Sequence, residues 1–274
     1  MSRQMERQVV ANGLRLHLLE WGGGAPPLLL LHGGSAHAHW WDWLAPLLAP
    51  KFRLVAPDWR GHGDSAWAEP PAYATTDYVD DLAALMQVLA LPPPVLVGHS
   101  MGGHNALVFA ASHPTALRAV VVIDIEPEYS PAVIQFLSRL ADKPGREFNS
   151  LDEAVEQFRL LPRETFAPPE RLRALARESF RRAQRGTWSS KLDRRTLRRS
   201  PVNAWSRLAE IECPVLIVRA ANSFVLPREV AERMAAACPH GRFVEVSDTY
   251  HHVMLDNPAA LATVIETFMN EVPE

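Results

Sequence analysis

The segment around Ser100 has the residue types that a nucleophilic serine requires. An apolar run, Val95 to Val97, leads into Gly98-His99-Ser100-Met101-Gly102, and a helical pattern follows over 105–112. This order predicts a tight turn from a strand into a helix, where small residues on both sides of the serine permit strained backbone angles. The helix points its first amides at the same spot, so the Met101 amide can stabilise a developing oxyanion. The pattern therefore predicts acyl transfer with Ser100 as the nucleophile.

Further motifs accompany the serine turn along the chain. They are, in order, Leu30-Leu31-His32-Gly33-Gly34, then Pro57-Asp58-Trp59-Arg60-Gly61-His62-Gly63-Asp64-Ser65, and finally His251 followed by Leu255-Asp256-Asn257-Pro258. In order and spacing these motifs resemble those of the α/β-hydrolase superfamily, over almost the whole chain and least across its middle. The resemblance implies an eight-stranded sheet with the active site at the carboxyl ends of the strands. It also implies serine hydrolase chemistry, the commonest activity in such relatives.

The resemblance suggests an oxyanion donor and a base. It assigns the second oxyanion donor to the backbone amide of Gly34, where glycine lets the backbone approach a substrate closely. The alternative is a glycine turn without a catalytic role. Two adjacent histidines, His251 and His252, are candidates for the base. Relatives carry that histidine four residues before the Leu of a Leu-Asp-x-Pro helix start, which selects His251, and an imidazole with a pKa near 6.5 can accept and return a proton near neutrality.

The acid of the expected triad is missing from its usual place. Relatives commonly carry it after the strand that corresponds to 215–218, and here that position is Phe224. Asp124, at the end of the apolar run 119–123, is the candidate instead, because some superfamily members use an acid there and neighbouring strands lie about 4.8 Å apart. Glu126 is the alternative acid, and an unidentified acid or none at all stays open. A further alternative for Asp124 is a hinge residue that accepts hydrogen bonds from backbone amides.

Four side chains near these motifs are candidates for a substrate pocket. They are Trp40, Trp41, His99 and Phe224. For the tryptophans an equal alternative exists, since an amphipathic helix over 41–48 would use them to pack against the sheet.

The remaining pattern predicts the elements that position these residues. Two early strands are expected at 8–11 and 14–20, joined by Asn12-Gly13, which is the strongest short hairpin signal. Later, continuous apolar runs alternate with amphipathic helices such as the one over 77–91. Runs buried on both faces and separated by helices indicate an α/β fold with a mostly parallel sheet flanked by helices.

Residues 127–205 break this alternation. The segment is rich in arginine and proline and has no convincing strand, so we interpret it as a helical cap inserted into a core domain formed by 1–126 and 206–274. Pairs of arginines, including Arg198-Arg199, make the cap locally basic. Solvated helix faces explain them in one reading, and attraction of an anionic substrate to the cleft explains them in the other.

Composition excludes several classes of protein. Of the 274 residues 47% are hydrophobic and 22% are charged, which is typical of a globular enzyme, and the formal net charge of −3 favours neither nucleic acid nor an acidic membrane as partner. We find no signal-peptide pattern and no apolar run near the ~20 residues that span a bilayer, so we expect a cytoplasmic protein without a membrane partner. The two cysteines stand outside metal-binding spacings, and we expect no metal and no cofactor.

These observations favour a serine hydrolase that cleaves a small ester, lactone or similarly activated acyl substrate through an acyl-enzyme on Ser100. Hydrolysis of a carbon-carbon bond in a diketone-like substrate uses the same groups and stays open. The shifted acid alone points to a cofactor-free dioxygenase of a heteroaromatic ring, as some relatives with this arrangement are. Phe224 alone points to a non-catalytic ligand-binding relative. The oligomeric state is not predicted by the sequence.

Overall fold

The computed structural model describes residues 4–273. Eleven strands lie within that range. They are β1 (Met5–Ala11), β2 (Leu14–Trp21), β3 (Pro27–Leu31), β4 (Arg53–Pro57), β5 (Val95–His99), β6 (Ala119–Ile123), β7 (Glu147–Phe148), β8 (Phe180–Arg182), β9 (Trp188–Ser190), β10 (Val215–Ala220) and β11 (Gly241–Val246).

Nine α-helices accompany the strands in the described part of the chain. They are α1 (Ala45–Leu48), α2 (Thr75–Val88), α3 (Met101–Ser112), α4 (Pro131–Asp142), α5 (Leu151–Gln157), α6 (Pro169–Glu178), α7 (Arg228–Ala237), α8 (Val253–Asp256) and α9 (Pro258–Glu271). Short 3-10 helices cover Ala38–Trp41, Arg194–Leu197 and Trp205–Glu210. Between residues 4 and 273, no helix combines the length and the apolar character that crossing a membrane would need.

Eight strands form the main sheet in the order β1-β2-β4-β3-β5-β6-β10-β11. The pairs β1·β2 and β2·β4 are antiparallel, and all later neighbours are parallel. This confirms the predicted eight-stranded, mostly parallel sheet. Because β3, β5, β6 and β10 are consecutive in space, the loops at their carboxyl ends lie side by side at one edge, which is where an open α/β sheet binds its ligands.

The central strands are buried on both faces. Every residue of β3, β5 and β6 is buried, and apolar clusters fill the space between the sheet and the helices on either side. The continuous apolar runs in the sequence reflect this double burial, because neither face of these strands meets water.

The middle of the chain differs from the sequence prediction in one respect. Residues 127–205 contain the helices α4, α5 and α6, as expected, but also a three-stranded sheet in the order β7-β9-β8. The prediction that this segment has no strand was therefore wrong. Its strands are two or three residues long, which is too short for an alternating pattern to be visible in the sequence.

Some helix boundaries also differ from those predicted. The expected helix over 41–48 is split into the 3-10 helix Ala38–Trp41 and α1. The helix predicted from residue 77 begins at Thr75, where the Asp77 carboxylate accepts a hydrogen bond from the Ala74 amide at 2.7 Å. That contact is a helix-capping interaction, and it lies outside the apolar periodicity on which the prediction depended.

A buried polar network holds the loop that follows β4. Asp58 accepts hydrogen bonds from the amides of Ala38 (2.6 Å) and Asp64 (2.9 Å) and contacts His17 Nδ1 at 2.8 Å. Nearby, Arg60 Nε donates to Asp81 Oδ2 at 2.6 Å, and Arg60 Nη2 makes a second contact with the other carboxylate oxygen. These contacts fix the loop beside the carboxyl edge of the sheet.

We predict that the Arg60–Asp81 pair is required for stability. Asp81→Asn leaves the buried Arg60 guanidinium with only the more distant Asp77 carboxylate, at 3.8 Å, as a countercharge. We therefore expect a loss of about 3 kcal/mol in the free energy of unfolding, at the lower end of the range for a broken buried pair. Urea unfolding followed by circular dichroism measures it. The exposed Arg228–Glu232 pair on α7 supplies the control, because Glu232→Gln is expected to cost at most about 1 kcal/mol. Equal losses in the two variants would contradict the prediction.

Candidate active site

Ser100 occupies a strained turn between β5 and α3. Its backbone angles, φ 51° and ψ −119°, lie outside the regions that side-chain-bearing residues ordinarily occupy. The neighbouring glycines make this turn possible. A Cβ on Gly98 would lie 2.4 Å from the Gly102 carbonyl oxygen, and a Cβ on Gly102 would lie 2.1 Å from the Leu31 carbonyl oxygen. The glycines on either side of the serine are thus required by the close approach of β5, α3 and the end of β3.

Asp124, the residue after β6, contacts His251. His251 Nδ1 lies 2.8 Å from Asp124 Oδ2, and both side chains are buried. Since a carboxylate only accepts hydrogen bonds, Nδ1 carries the proton, and Nε2 is left with its lone pair. Asp124 has a φ of 54°, a conformation that aspartate adopts more readily than most residues.

The loop after β10 supports this carboxylate. Ser223 Oγ donates to Asp124 Oδ2 at 2.7 Å, and the Ala220 amide donates to Asp124 Oδ1 at 3.0 Å. Ser223 also accepts from the amides of Val225 and Leu226, each at 3.0 Å, so its hydroxyl is held by its own loop. The sequence reasoning missed Ser223. Its position one residue before Phe224, in the loop that usually supplies the acid, was the available signal.

Phe224 and Glu126, the other two positions considered for the triad acid, do not contact His251. Phe224, which stands where relatives carry the acid, is 77% exposed and borders the cavity above Ser100. Glu126 also borders that cavity, and no described residue is within ion-pair distance of its carboxylate. Partial burial raises the Glu126 pKa, and the nearby Glu128 and Glu229 carboxylates raise it further.

Two further histidines hold the loop that carries His251. His99 Nε2 donates to the His251 carbonyl oxygen at 2.9 Å, and His252 Nε2 donates to the Pro162 carbonyl oxygen at 2.9 Å. Burial lowers the pKa of His99 well below its usual value and that of His252 to about 3, and the adjacent His251 lowers both further. Both rings are therefore neutral near pH 7, and they hold the loop that carries His251 by hydrogen bonding rather than by charge.

Asp256 joins the loop that carries His251 to residues 165–167. One carboxylate oxygen accepts from the Tyr250 amide at 2.7 Å, and the other accepts from the Phe166 amide at 2.9 Å and the Ala167 amide at 3.1 Å. The Thr165 hydroxyl contacts that second oxygen as well. A single carboxylate thus connects the residue before His251 to residues 165–167.

The loop after β3 that carries Gly33 and Gly34 is held by His32. Its Nδ1 donates to the Gly33 carbonyl oxygen at 2.7 Å, while its Nε2 accepts from the Trp59 amide at 3.0 Å. Burial lowers the pKa of His32 to about 4, so the ring stays neutral and can both donate and accept. His32 thereby joins the loop after β3 to the loop after β4.

Ser100 and His251 line one cavity of about 520 Å³ together with Gly34 and Met101. Its volume is in the range of small-molecule sites. Much of its wall is apolar and comes from α4 and from loops beside it; the apolar residues are Ile125, Val133, Phe136, Leu137, Leu161, Pro162, Leu197, Phe224 and Val225.

Of the four predicted pocket residues, only Phe224 is at the cavity wall. Trp41 is fully buried in the core, which matches the packing alternative. Trp40 is buried behind the site, where its ring stacks on His99 with centroids 6.3 Å apart and meets His252 edge-on at 5.0 Å. His99 lies behind His251, with ring centroids 4.6 Å apart. Trp40 and His99 therefore contact the loop that carries His251 and His252 and do not line the cavity.

Three histidines of this site are spaced closely enough to share a metal ion. His99, His251 and His252 each offer a ring nitrogen, and these nitrogens lie within 4.8 Å of one another. One nitrogen of each ring already makes a contact: Nδ1 of His251 with Asp124, and Nε2 of His99 and of His252 with a backbone carbonyl. These contacts account for the orientations of the three rings.

Comparison with known proteins agrees with this architecture. The family model described as alpha/beta hydrolase fold matches residues 26–258. The esterase Rv0045c of Mycobacterium tuberculosis is 30% identical over 260 residues, which is 90% of this chain and 84% of that protein. The 2-(acetamidomethylene)succinate hydrolase of Mesorhizobium japonicum is 28% identical over 97% of this chain and 95% of its own.

Solved structures are similar over the same extent. The crystal structure of an E-2-(acetamidomethylene)succinate hydrolase superposes with a TM-score of 0.86 at 26% identity, covering 98% of this chain and all of the other. The match of fold, sequence and family model extends through both the sheet and the inserted segment. The chain therefore belongs to the alpha/beta hydrolase fold family, and the relatives named here are an esterase and a hydrolase.

Proposed function

We propose that the protein is a serine hydrolase that cleaves a small ester, lactone or activated acyl compound through an acyl-enzyme on Ser100. The observation that carries this proposal is the buried 2.8 Å contact between His251 and Asp124, made by a histidine that borders the same cavity as Ser100. Ser100, His251 and Asp124, the proposed nucleophile, base and acid, come from three separate parts of the chain and lie at one edge of the sheet, which supports this chemistry.

Each group has a defined part in the reaction. His251 Nε2 removes the Ser100 proton as the hydroxyl attacks the substrate carbonyl, and the imidazolium that forms is stabilised by Asp124. The same nitrogen then returns the proton to the leaving group. Water, activated by His251, attacks the acyl-enzyme in the second half of the reaction and releases the acid.

The Gly34 and Met101 amides are the proposed oxyanion donors. Met101 is the first residue of α3, so its amide has no partner within the helix and faces the cavity edge. Gly34 lies on the loop after β3 and lines the same cavity as Ser100. Amides from two rigid elements cost little reorganisation as negative charge develops on the carbonyl oxygen.

The apolar wall of the cavity supports a small organic substrate. Side chains such as Val133, Leu137 and Leu161 remove apolar parts of a bound molecule from water. One named relative is called an esterase and the other a 2-(acetamidomethylene)succinate hydrolase, and neither substrate is transferred to this chain.

We expect Ser100→Ala to abolish covalent labelling by a fluorophosphonate probe, because the probe reacts with an activated serine hydroxyl. Gel fluorescence or intact mass measures the label. Ser112→Ala, at the far end of α3, is the control and should be labelled like the unaltered protein. Persistent labelling of the Ser100 variant would show that another residue is the nucleophile, and no labelling of the unaltered protein would contradict the proposed function.

We expect Asp124→Asn to lower kcat for an ester substrate by about 10⁴-fold, the usual effect of removing the orienting acid from a serine triad. Initial rates with 4-nitrophenyl acetate measure it. Glu126→Gln should lower kcat less than about tenfold, because Glu126 makes no contact with His251 among the described residues. Circular dichroism and melting temperature check that both variants fold. Equal and mild effects would remove Asp124 from the mechanism.

A further inference from the structure

Arg199 reaches from the inserted segment into the cavity, directly over the proposed oxyanion loop. A Cβ built on Gly34 would lie 2.2 Å from Arg199 Nη2, so the guanidinium rests on the glycine itself. The same Arg199 side chain lines the cavity that Ser100 and His251 border. A side chain at position 34 would therefore displace the guanidinium from its place over the loop.

This guanidinium is close to the reacting serine. A Cβ on Gly33 would lie 3.1 Å from Ser100 Cβ, and Gly34 is the next residue, with its α-carbon about 3.8 Å further along. The loop of Gly33 and Gly34 thus contacts Ser100 at one end and Arg199 at the other. In a substrate bound with its carbonyl at Ser100, a group only a few bonds from that carbonyl would reach the arginine.

No carboxylate within residues 4–273 pairs with Arg199. Its neighbours in the sequence are paired: Arg198 contacts Asp142, and Arg195 binds Asp193 and Glu69. Arg199 makes no ion pair among the described residues, and its Nε is buried without a hydrogen-bond partner. A partly buried charge without a countercharge is unfavourable, so the position is the kind that an anionic ligand would complete.

The backbone that follows Arg199 is held by two hydrogen bonds. The Ser200 carbonyl oxygen accepts from the Thr75 amide at 3.4 Å, and the Val202 carbonyl oxygen accepts from His104 Nε2 at 2.8 Å. The side chain passes through a narrow space beside Tyr78 and Tyr129. The guanidinium is therefore oriented before any substrate binds, which lowers the entropic cost of recognition.

We propose that Arg199 binds a carboxylate of the substrate, so that the preferred compound is a small ester or activated acyl derivative with a carboxylate a few bonds from the reacting carbonyl. This inference rests on the proposed hydrolase function. The planar fork of arginine matches the two oxygens of a carboxylate, which a neutral group of the same shape cannot replace.

Other charges in the cavity limit where the anion can bind. Glu126 and Glu128 also line the wall, and they repel a carboxylate. An anionic substrate is thus directed to the Arg199 end, beside Gly34. A molecule with one short carboxylate arm fits this distribution better than a polyanion does.

Two matched esters test the proposal. Monomethyl succinate bears a carboxylate, and methyl succinamate bears a neutral amide in its place; hydrolysis of either consumes one water and releases methanol, which is measured. We expect the unaltered protein to favour monomethyl succinate in kcat/KM, and Arg199→Gln to lower that preference by about 10- to 100-fold, as expected for loss of a charge-assisted hydrogen-bonded pair. Arg198→Gln, which removes the neighbouring charge, should leave the preference unchanged.

A second measurement does not require turnover. Succinate is expected to slow fluorophosphonate labelling of Ser100 in the unaltered protein and in Arg198→Gln, but not in Arg199→Gln, while succinamide slows it in none of them. Labelling without protection by succinate, or a preference for monomethyl succinate that survives Arg199→Gln, overturns the carboxylate site. Absence of labelling altogether would instead contradict the hydrolase function, so the two failures are distinguishable.

Discussion

The site depends on one buried hydrogen bond between a carboxylate and an imidazole, that of Asp124 with His251. Its two ends come from distant parts of the chain, the end of β6 and the loop after β11, and they meet only because β6, β10 and β11 are adjacent in the sheet. In a buried environment such a contact is stronger than in water, but it tolerates little misplacement. Ser223, the Ala220 amide and His99 therefore act together to hold both partners.

With Asp124 as the proposed acid, the loop after β10 has a different role from the one it has in relatives. That loop usually supplies the carboxylate in relatives, whereas here the last residue of β10 supplies an amide and the loop supplies a hydroxyl, and both bind the carboxylate of the adjacent strand. Adjacent parallel strands are separated by about 4.8 Å, a distance that a histidine loop can accommodate. Moving the charge by one strand thus preserves the contact while Phe224 becomes part of the cavity rim.

Much of the fold was predictable because parallel strands buried on both faces leave continuous apolar runs, and the glycines around Ser100 mark the strained turn. The pairing of Asp124 with His251 was expected as a hypothesis, since it depended on which strands are neighbours. The short strands β7, β8 and β9 were not visible, because two or three residues carry no period. Arg199 was seen only as one of several cap arginines; its separation from all carboxylates is a property of three-dimensional packing, which spacing along the chain does not contain.

The contacts of Asp256 and His252 have a consequence for protein engineering. The side chains of both residues bind backbone groups of the stretch 162–167, so that hydrogen bonds between side chain and backbone join residues 127–205 to the loop that carries His251. A segment transplanted from a homologue would have to reproduce a free carbonyl at 162 and two amides at 166 and 167. Chimeras that lack these hydrogen bonds would shift the imidazole of His251 even if every residue of the sheet were retained.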